Sequence, residues 1–147
     1  EGDNGVAALL GHVTSAAGVA MRTLPYTATI AGPAVWAENE TTSITGRSDV
    51  RDAARAMLDL MPEGAMAVVK RGPHGALAAS VAGLVEVAAP AVKVIDTIGA
   101  GDVFNAGFLA ALAAGKSLED SLAAGTATAS LAVSTYPRRY APPESRS

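Results

Sequence analysis

The sequence contains no cysteine, which excludes a disulfide framework and any metal site built from thiolates. Its two histidines, His12 and His74, are far apart in the sequence, and this argues against a structural zinc site. No apolar run approaches the roughly 18–20 residues that span a bilayer, and the start Glu1-Gly2-Asp3 lacks the basic and apolar regions of a signal peptide. We therefore expect a cytoplasmic protein with no membrane partner.

Positive charge and aromatic side chains are also scarce. The 14 acidic residues outnumber the 11 basic ones, giving a formal net charge of −3, which argues against a nucleic-acid-binding surface. Aromatic residues make up 4% of the chain although hydrophobic residues make up 50%, and alanine supplies much of that hydrophobic fraction, as in an alanine-rich α/β protein. The length of 147 residues is enough for one domain with such a core.

Hydrophobic periodicity indicates alternating helices and strands, the arrangement of an α/β layered fold. Ser48 is predicted to cap a helix with one apolar face, and Asp49 and Asp52 lie in its first turn, where the helix dipole favours negative charge. Residues 21–46 show no sustained period and receive no assignment. The predicted helices cover residues 5–20, 49–61, 103–114 and 117–133, and the predicted strands cover residues 65–70, two segments around Ala82-Gly83, and residues 91–95.

The helix predicted over residues 103–114 carries packing signals of its own. Phe104 and Phe108 lie about one turn apart on one face, so both are expected to face the core. Gly107 on the same helix would allow a neighbouring element to approach closely.

The junction DTIGAGDVF, residues 96–104, places two glycines and two aspartates between a predicted strand and a predicted helix. Gly99 and Gly101 allow close approach of the backbone to a ligand, and the unpaired N–H groups of a helix start attract an anion such as phosphate. Phosphate would repel Asp102, but phosphoryl transfer to an alcohol needs both a phosphate site and a base that accepts the hydroxyl proton. The alternative is that the glycines only turn the chain and Asp102 caps the helix.

The full segment DTIGAGDVFNAGF, residues 96–108, resembles the C-terminal signature of the ribokinase-like sugar kinases, also called the phosphofructokinase B family. VVKRGPHGALA, residues 68–78, is similar to the strand–loop–strand beside the nucleotide in that family, and ENETTSITG, residues 38–46, is similar to its acidic segment near magnesium. The resemblance implies an α/β fold, a ribokinase-like layered sheet with flanking helices. This chain would be a partial copy that carries the C-terminal, nucleotide-binding part.

The resemblance also implies roles for individual residues. Asp102 matches the base that contacts the substrate and deprotonates its hydroxyl. Backbone groups of the loop from Lys70 to Gly75 would line the nucleotide, and the glycine turn would form the anion hole for the transferring phosphoryl group. The residues implied for ATP and this anion hole are Gly99, Ala100, Gly101, Lys70, Gly72 and Gly75.

Two kinds of metal ion are implied in the same way. Glu40 matches the glutamate that orients the water molecules of Mg²⁺, although Ala37 stands where the family has an asparagine. Asp96 and Ile98 match positions that often help to hold a monovalent cation such as K⁺.

The expected function is therefore that of an ATP-dependent phosphotransferase acting on a hydroxyl of a sugar or sugar-like substrate. The expected cofactors are ATP and Mg²⁺, with K⁺ as a further candidate, and the partners are the small-molecule sugar and ATP but no nucleic acid. A homodimer is left open. One alternative is a non-catalytic nucleotide-binding or regulatory module, to which Ala37 points. Another is a dinucleotide-binding oxidoreductase, which is disfavoured because GAGD lacks the third glycine of that motif.

A complete enzyme of this family is about twice as long as this chain. We therefore expect residues 1–147 to form a single ribokinase-like α/β domain that is incomplete, with a break near residues 29–36. The chain is either joined from pieces of a longer kinase or a shortened protein. The first explanation is favoured because a sheet without its central strands would expose large apolar faces.

Overall fold

The computed structural model describes residues 32–142, which separate into two compact units. Residues 32–71 and 77–85 belong to the first unit, and residues 72–76 and 86–142 belong to the second. The predicted helix over residues 5–20 lies outside the described residues. The single incomplete domain with a break near residues 29–36 stays a prediction.

A four-stranded sheet lies in the first unit, apart from Ala76 and residues 86–87. Its strands are β1 (Pro33–Ala37), β2 (Met66–Lys70), β3 (Ala76–Ser80) and β4 (Gly83–Val87), in the order β1-β2-β3-β4. Strands β1 and β2 are parallel, with Pro33 opposite Met66 and Ala37 opposite Lys70. Parallel strands need a crossover connection, which is supplied here by helices α1 (Glu38–Thr45) and α2 (Val50–Asp59). The strands predicted at residues 65–70 and on either side of Ala82-Gly83 are confirmed.

Strand β1 and helix α1 lie within residues 21–46, where no periodicity supports an assignment. Three consecutive residues of β1 are buried, so the strand has no polar–apolar alternation to reveal it. Its first residue is Pro33, and proline is tolerated at the first position of a strand. In α1, the hydroxyl of Thr41 donates to the carbonyl of Ala37 at 2.9 Å, and that of Thr45 donates to the carbonyl of Thr41 at 2.8 Å. The hydrogen-bonding groups of these threonines are satisfied by carbonyls of their own helix, so polar residues need not face solvent and α1 shows little amphipathic pattern.

Helix α2 packs its apolar face on the sheet. The helix begins after Asp49, whose carboxylate accepts the N–H groups of Arg51 at 2.9 Å and Asp52 at 3.0 Å. The cap is therefore Asp49, and the prediction of Ser48 was wrong by one residue because both are good capping residues. The buried core of this unit consists of Ala34, Trp36, Val50, Ala54, Met57, Ala67, Val69, Leu77 and Ala79.

Two helices dominate the second unit. Helix α3 (Ala100–Ala113) packs against helix α4 (Leu118–Ser134), which is capped by Ser117. Phe104 and Phe108 are buried, as the sequence predicts, and their rings stack at a centroid distance of 6.0 Å. None of the helices in residues 32–142 combines the length and hydropathy that a bilayer span requires.

The close approach of α3 and α4 depends on small residues. A Cβ atom on Gly107 would lie 2.9 Å from Oγ1 of Thr128, and one on Gly125 would lie 2.9 Å from the carbonyl oxygen of Phe104. Glycine is therefore required at both positions for the observed packing, which confirms the prediction for Gly107.

The prediction of a strand at residues 91–95 is wrong. These residues have no regular secondary structure, and Val94 and Ile95 are 53% and 56% exposed. The N–H groups of Ile95 and Asp96 donate instead to one carbonyl, that of Val133 at the end of α4. A β-branched sequence favours extended backbone, but a strand also needs a neighbouring strand, and the described residues supply none here.

Candidate functional site

The glycine turn lies at the start of helix α3. Gly99 is the N-cap and has φ of 71°, in the left-handed region that favours glycine. The helix begins at Ala100, three residues earlier than predicted, so Gly101 and Asp102 lie within its first turn. The junction therefore combines the sharp turn and the helix start that the sequence suggested.

The N–H groups of this turn differ in their bonding. The N–H of Ala100 donates to the carbonyl of Thr97 at 3.1 Å, and that of Val103 donates to the carbonyl of Gly99 at 3.1 Å. Within residues 32–142, the N–H groups of Gly99, Gly101 and Asp102 have no backbone acceptor. Donors at a helix start, where the helix dipole is positive, can bind an anion. Ala100 is the member of the expected anion hole whose N–H is already used.

Asp102 is exposed in the same turn. In the described part of the chain, its carboxylate has no hydrogen-bond or ion-pair partner. A carboxylate that makes no structural contact is able to accept a proton from a ligand. The side chain does not act as the helix cap, because the N-cap position belongs to Gly99 and no side chain caps this helix.

The guanidinium of Arg138 binds the segment that precedes the turn. Its Nη2 donates to Oδ2 of Asp96 at 2.5 Å and to the carbonyl of Asp96 at 3.4 Å, and its Nη1 donates to the carbonyl of Ile98 at 2.5 Å. Oδ1 of Asp96 accepts the N–H of Ile98 at 2.9 Å. This N–H and, to a smaller extent, the Arg138 guanidinium hold the pKa of Asp96 below its ordinary value. Asp96 is therefore ionised at neutral pH and paired with a cation of its own chain.

A second group of predicted residues lies at the carboxyl edge of the sheet in the first unit. Because Ala37 is opposite Lys70 in the parallel pair, the start of α1 and the end of β2 lie side by side. Oε2 of Glu40 accepts the N–H of Ala37 at 2.9 Å, and Oε2 of Glu38 accepts Nε of Arg71 at 3.4 Å. The carboxyl ends of parallel strands are where α/β proteins bind their ligands.

Gly72 and Gly75 belong to the second unit, where Gly72 begins a single 3₁₀ turn, Gly72–His74, and Gly75 follows it. Gly72 is exposed, with φ of 53°, and in the described part of the chain a Cβ atom there would meet no atom within 4 Å beyond its chain neighbours. Gly75 is buried with φ of 95°, and a Cβ atom there would clash with the carbonyl oxygen of Val87. Gly75 therefore has a packing reason to be glycine, whatever it contributes to a nucleotide site.

Comparison with known proteins identifies the family. Residues 9–144 match the sequence model of the pfkB family carbohydrate kinases. The chain belongs to the pfkB family of carbohydrate kinases. The expected family and its partial ribokinase-like α/β fold are therefore confirmed.

Three similar proteins show how the length of this chain compares with that of its relatives. It is 37% identical over 93 residues to 5-dehydro-2-deoxygluconokinase of Halalkalibacterium halodurans, covering 63% of this chain and 28% of the relative. It is 49% identical over 71 residues to 2-dehydro-3-deoxygluconokinase of Escherichia coli, covering 45% and 23%. The crystal structure of aminoimidazole riboside kinase from Salmonella enterica, complexed with aminoimidazole riboside and an ATP analogue, matches with a TM-score of 0.66 and 26% identity, covering 81% and 40%. The chain thus spans about a quarter of the length of the curated relatives it matches.

The pfkB residues predicted from sequence fall into two groups. Glu40 and Lys70 belong to the first unit, while Gly72, Gly75 and the residues from Asp96 to Asp102 belong to the second. In neither unit do the described residues include a cluster of three or more side chains able to ligate a metal. Sequence reasoning missed Arg138, which lies 42 residues from Asp96 in a tail that has no periodic signal.

Proposed function

We propose that the protein to which this chain belongs is an ATP-dependent kinase that phosphorylates a hydroxyl group of a sugar or sugar-like acid. One observation carries the proposal: among residues 32–142, the turn Gly99–Asp102 combines N–H groups that have no acceptor with a carboxylate that has no partner. Membership of the pfkB family supports the same reaction.

In the proposed reaction, a carboxylate oxygen of Asp102 accepts the proton of the substrate hydroxyl. The hydroxyl oxygen forms a bond to the γ-phosphorus of ATP, and the bond from that phosphorus to the β,γ-bridging oxygen breaks, so that ADP leaves with the electron pair. The N–H groups of Gly99 and Gly101 donate to oxygens of the transferring phosphoryl group. Such fixed donors stabilise the charge that develops in the transition state without reorganising during the reaction.

Magnesium fits this chain as an ion held mainly by ATP and water. Oε2 of Glu40 is used by the N–H of Ala37, whereas its second carboxylate oxygen has no partner among residues 32–142. That oxygen would accept a hydrogen bond from a water bound to Mg²⁺, and Mg²⁺ usually keeps several waters in phosphate sites. When bound, Mg²⁺ neutralises charge on the phosphates of ATP.

The substrate proposed first is a dehydro-deoxy sugar acid. Two relatives are named for such substrates, 5-dehydro-2-deoxygluconate and 2-dehydro-3-deoxygluconate. A panel containing both acids, fructose, ribose and aminoimidazole riboside would rank them by kcat/KM. A clear preference for a neutral sugar would contradict this choice while leaving the kinase proposal intact.

The reaction is tested with Asp102→Asn in the full-length protein. Because a positioned general base contributes about 10²- to 10⁴-fold to a rate, kcat should fall by about that factor while the affinity for ATP is retained. Asp120→Asn is the matched control, since Asp120 is also an exposed acid in the third position of its helix. Near-normal turnover in Asp102→Asn, or an equal loss in Asp120→Asn, would remove Asp102 as the base.

A non-catalytic nucleotide-binding module is the second candidate. Ala37, which has no side-chain oxygen to cap α1, stands where the family has asparagine. Calorimetry with Mg-ATP, combined with a coupled assay for sugar-dependent ADP release, separates the two proposals. Nucleotide binding without ADP release for any substrate in the panel would favour the module.

A further inference from the structure

Three oxygens of the segment 96–98 converge on one positive group supplied by the chain itself. They are Oδ2 of Asp96, the carbonyl oxygen of Asp96 and the carbonyl oxygen of Ile98, and all three accept hydrogen bonds from the guanidinium of Arg138. Carboxylate and carbonyl oxygens are the donor set that hard metal cations take in proteins. Here the set is already matched by the planar fork of an arginine, which presents several N–H donors at once.

The side chain of Arg138 is folded back onto this segment. It is 23% exposed, although its neighbours Tyr136, Pro137, Arg139 and Tyr140 are all exposed. Ordering a long side chain costs conformational entropy, so an exposed tail would not hold it without specific contacts. The contacts to Asp96 and Ile98 supply them.

A monovalent metal ion does not fit beside this arginine. The oxygens expected to hold K⁺, those of Asp96 and Ile98, are the oxygens bound by Nη1 and Nη2 of Arg138. A metal ion and a guanidinium carry the same charge and repel each other strongly at such short separations. The residues present therefore disagree with the K⁺ site that the family resemblance implies.

We propose that Arg138 replaces the monovalent cation in this protein and positions the anion-binding turn. The peptide between Ile98 and Gly99 is trans and planar, so its carbonyl and its N–H point in opposite directions. By binding the carbonyl of Ile98, Arg138 fixes the direction of the Gly99 N–H, one of the donors of the turn. Nη1 lies 3.9 Å from the Cβ position at Gly99, so its positive charge also favours an anion there.

Arg138 is thus a positioning residue that acts through the turn. The kinetic consequence, activity independent of K⁺, rests on the proposed kinase function. The binding consequence does not, because the absence of a K⁺ site can be measured without turnover. The experiment therefore uses both readouts.

The test compares wild type, Arg138→Ala and the neighbouring control Arg139→Ala in the full-length protein. Thermal unfolding and initial rates are measured in KCl, NaCl and choline chloride at constant ionic strength. For wild type and Arg139→Ala we expect the same unfolding midpoint in all three salts and rates within about twofold, because there is no site for K⁺ to fill. For Arg138→Ala we expect a rate about tenfold or more lower in choline chloride, restored by K⁺ or by millimolar guanidinium, and a midpoint that K⁺ raises.

Opposite results overturn the proposal. If K⁺ activates the wild type more than about fivefold, or raises its unfolding midpoint above the midpoint in choline chloride, a cation site exists beside the arginine. A folded Arg138→Ala that is equally impaired in every salt means that the arginine is merely structural. If Arg138→Ala does not fold, Arg138→Gln, which keeps N–H donors without the charge, carries the same expectations. If no variant is active, the proposed kinase function fails, and the unfolding midpoints still decide whether K⁺ binds.

Discussion

Replacing Gly99 by alanine tests whether the backbone of the turn, and not only its side chains, carries function. Gly99 has φ of 71°, and the nearest atom to a Cβ there is Nη1 of Arg138 at 3.9 Å, which is an ordinary contact. The substitution therefore introduces no steric clash. Its cost is the left-handed backbone itself, about 1–2 kcal/mol for a residue with a Cβ.

Gly115 offers a matched control for this strain. It is also exposed and has φ of 78°, and apart from its chain neighbours no atom of residues 32–142 lies within 4 Å of a Cβ position there. Gly115→Ala should therefore lower the free energy of unfolding by the same amount, about 1–2 kcal/mol. The two variants differ in what the strained backbone supports: Gly115 follows the end of α3, whereas Gly99 precedes the proposed anion-binding donors.

The expected results differ between stability and activity. Urea unfolding of the full-length proteins should give similar losses for Gly99→Ala and Gly115→Ala. In a coupled ADP-release assay, Gly99→Ala should lose about 10²- to 10³-fold in kcat/KM, the effect of misplacing one donor to a developing anion. Gly115→Ala should remain within about threefold of wild type, because its strain does not reach the turn. Equal losses of activity in the two variants, or full activity in Gly99→Ala at reduced stability, would refute the role of the turn.

Two further predictions concern stability. Gly107→Ala gains about 1 kcal/mol of helix propensity, but it places a Cβ 2.9 Å from Oγ1 of Thr128, and such overpacking costs about 1–3 kcal/mol. Urea unfolding should therefore show a net loss of stability, which Thr128→Ala should partly relieve; a stabilised Gly107→Ala would contradict the close helix packing. Hydrogen bonds from the N–H groups of Asp52 and, to a smaller extent, Arg51 lower the pKa of Asp49 in the folded protein. The stability that its charge contributes is therefore complete above its pKa in the unfolded chain, about 3.9, and is lost as the pH falls through its lower pKa in the folded state. Unfolding measured against pH should therefore be flatter in acid for Asp49→Asn, which keeps a capping side chain, and an unchanged pH profile would contradict the capping role.

The parts of the fold that were predictable are those with a local physical cause. The apolar face of α2 and the buried run of β2 are set by residues a few positions apart, so each leaves a pattern in the sequence. The turn at Gly99 belongs to the same class, because φ of 71° needs a glycine wherever the chain goes next. The resemblance to the sugar kinases added the roles of Asp102 and its neighbours, which stay predictions.

Features that depend on a distant partner were not predictable. Residues 91–95 have the β-branched composition of a strand, but composition cannot show whether a neighbouring strand exists to receive their hydrogen bonds. Strand β1 was missed for the opposite reason, since it is identified by its pairing with β2 and by burial.

The cap of α2 differed by one residue because two adjacent side chains could each accept the same N–H groups.

The sequence by itself determined which residues could form the proposed anion-binding turn, because two glycines and a following carboxylate at a helix start act over a few bonds. Only the tertiary structure decided what holds that turn in place. Arg138 reaches Asp96 and Ile98 across about 40 residues, and nothing in the local pattern of either segment specifies that contact. A hydrogen bond between distant segments forms only after the chain between them has packed, so its partners are fixed by the fold and leave no periodic signal in the sequence.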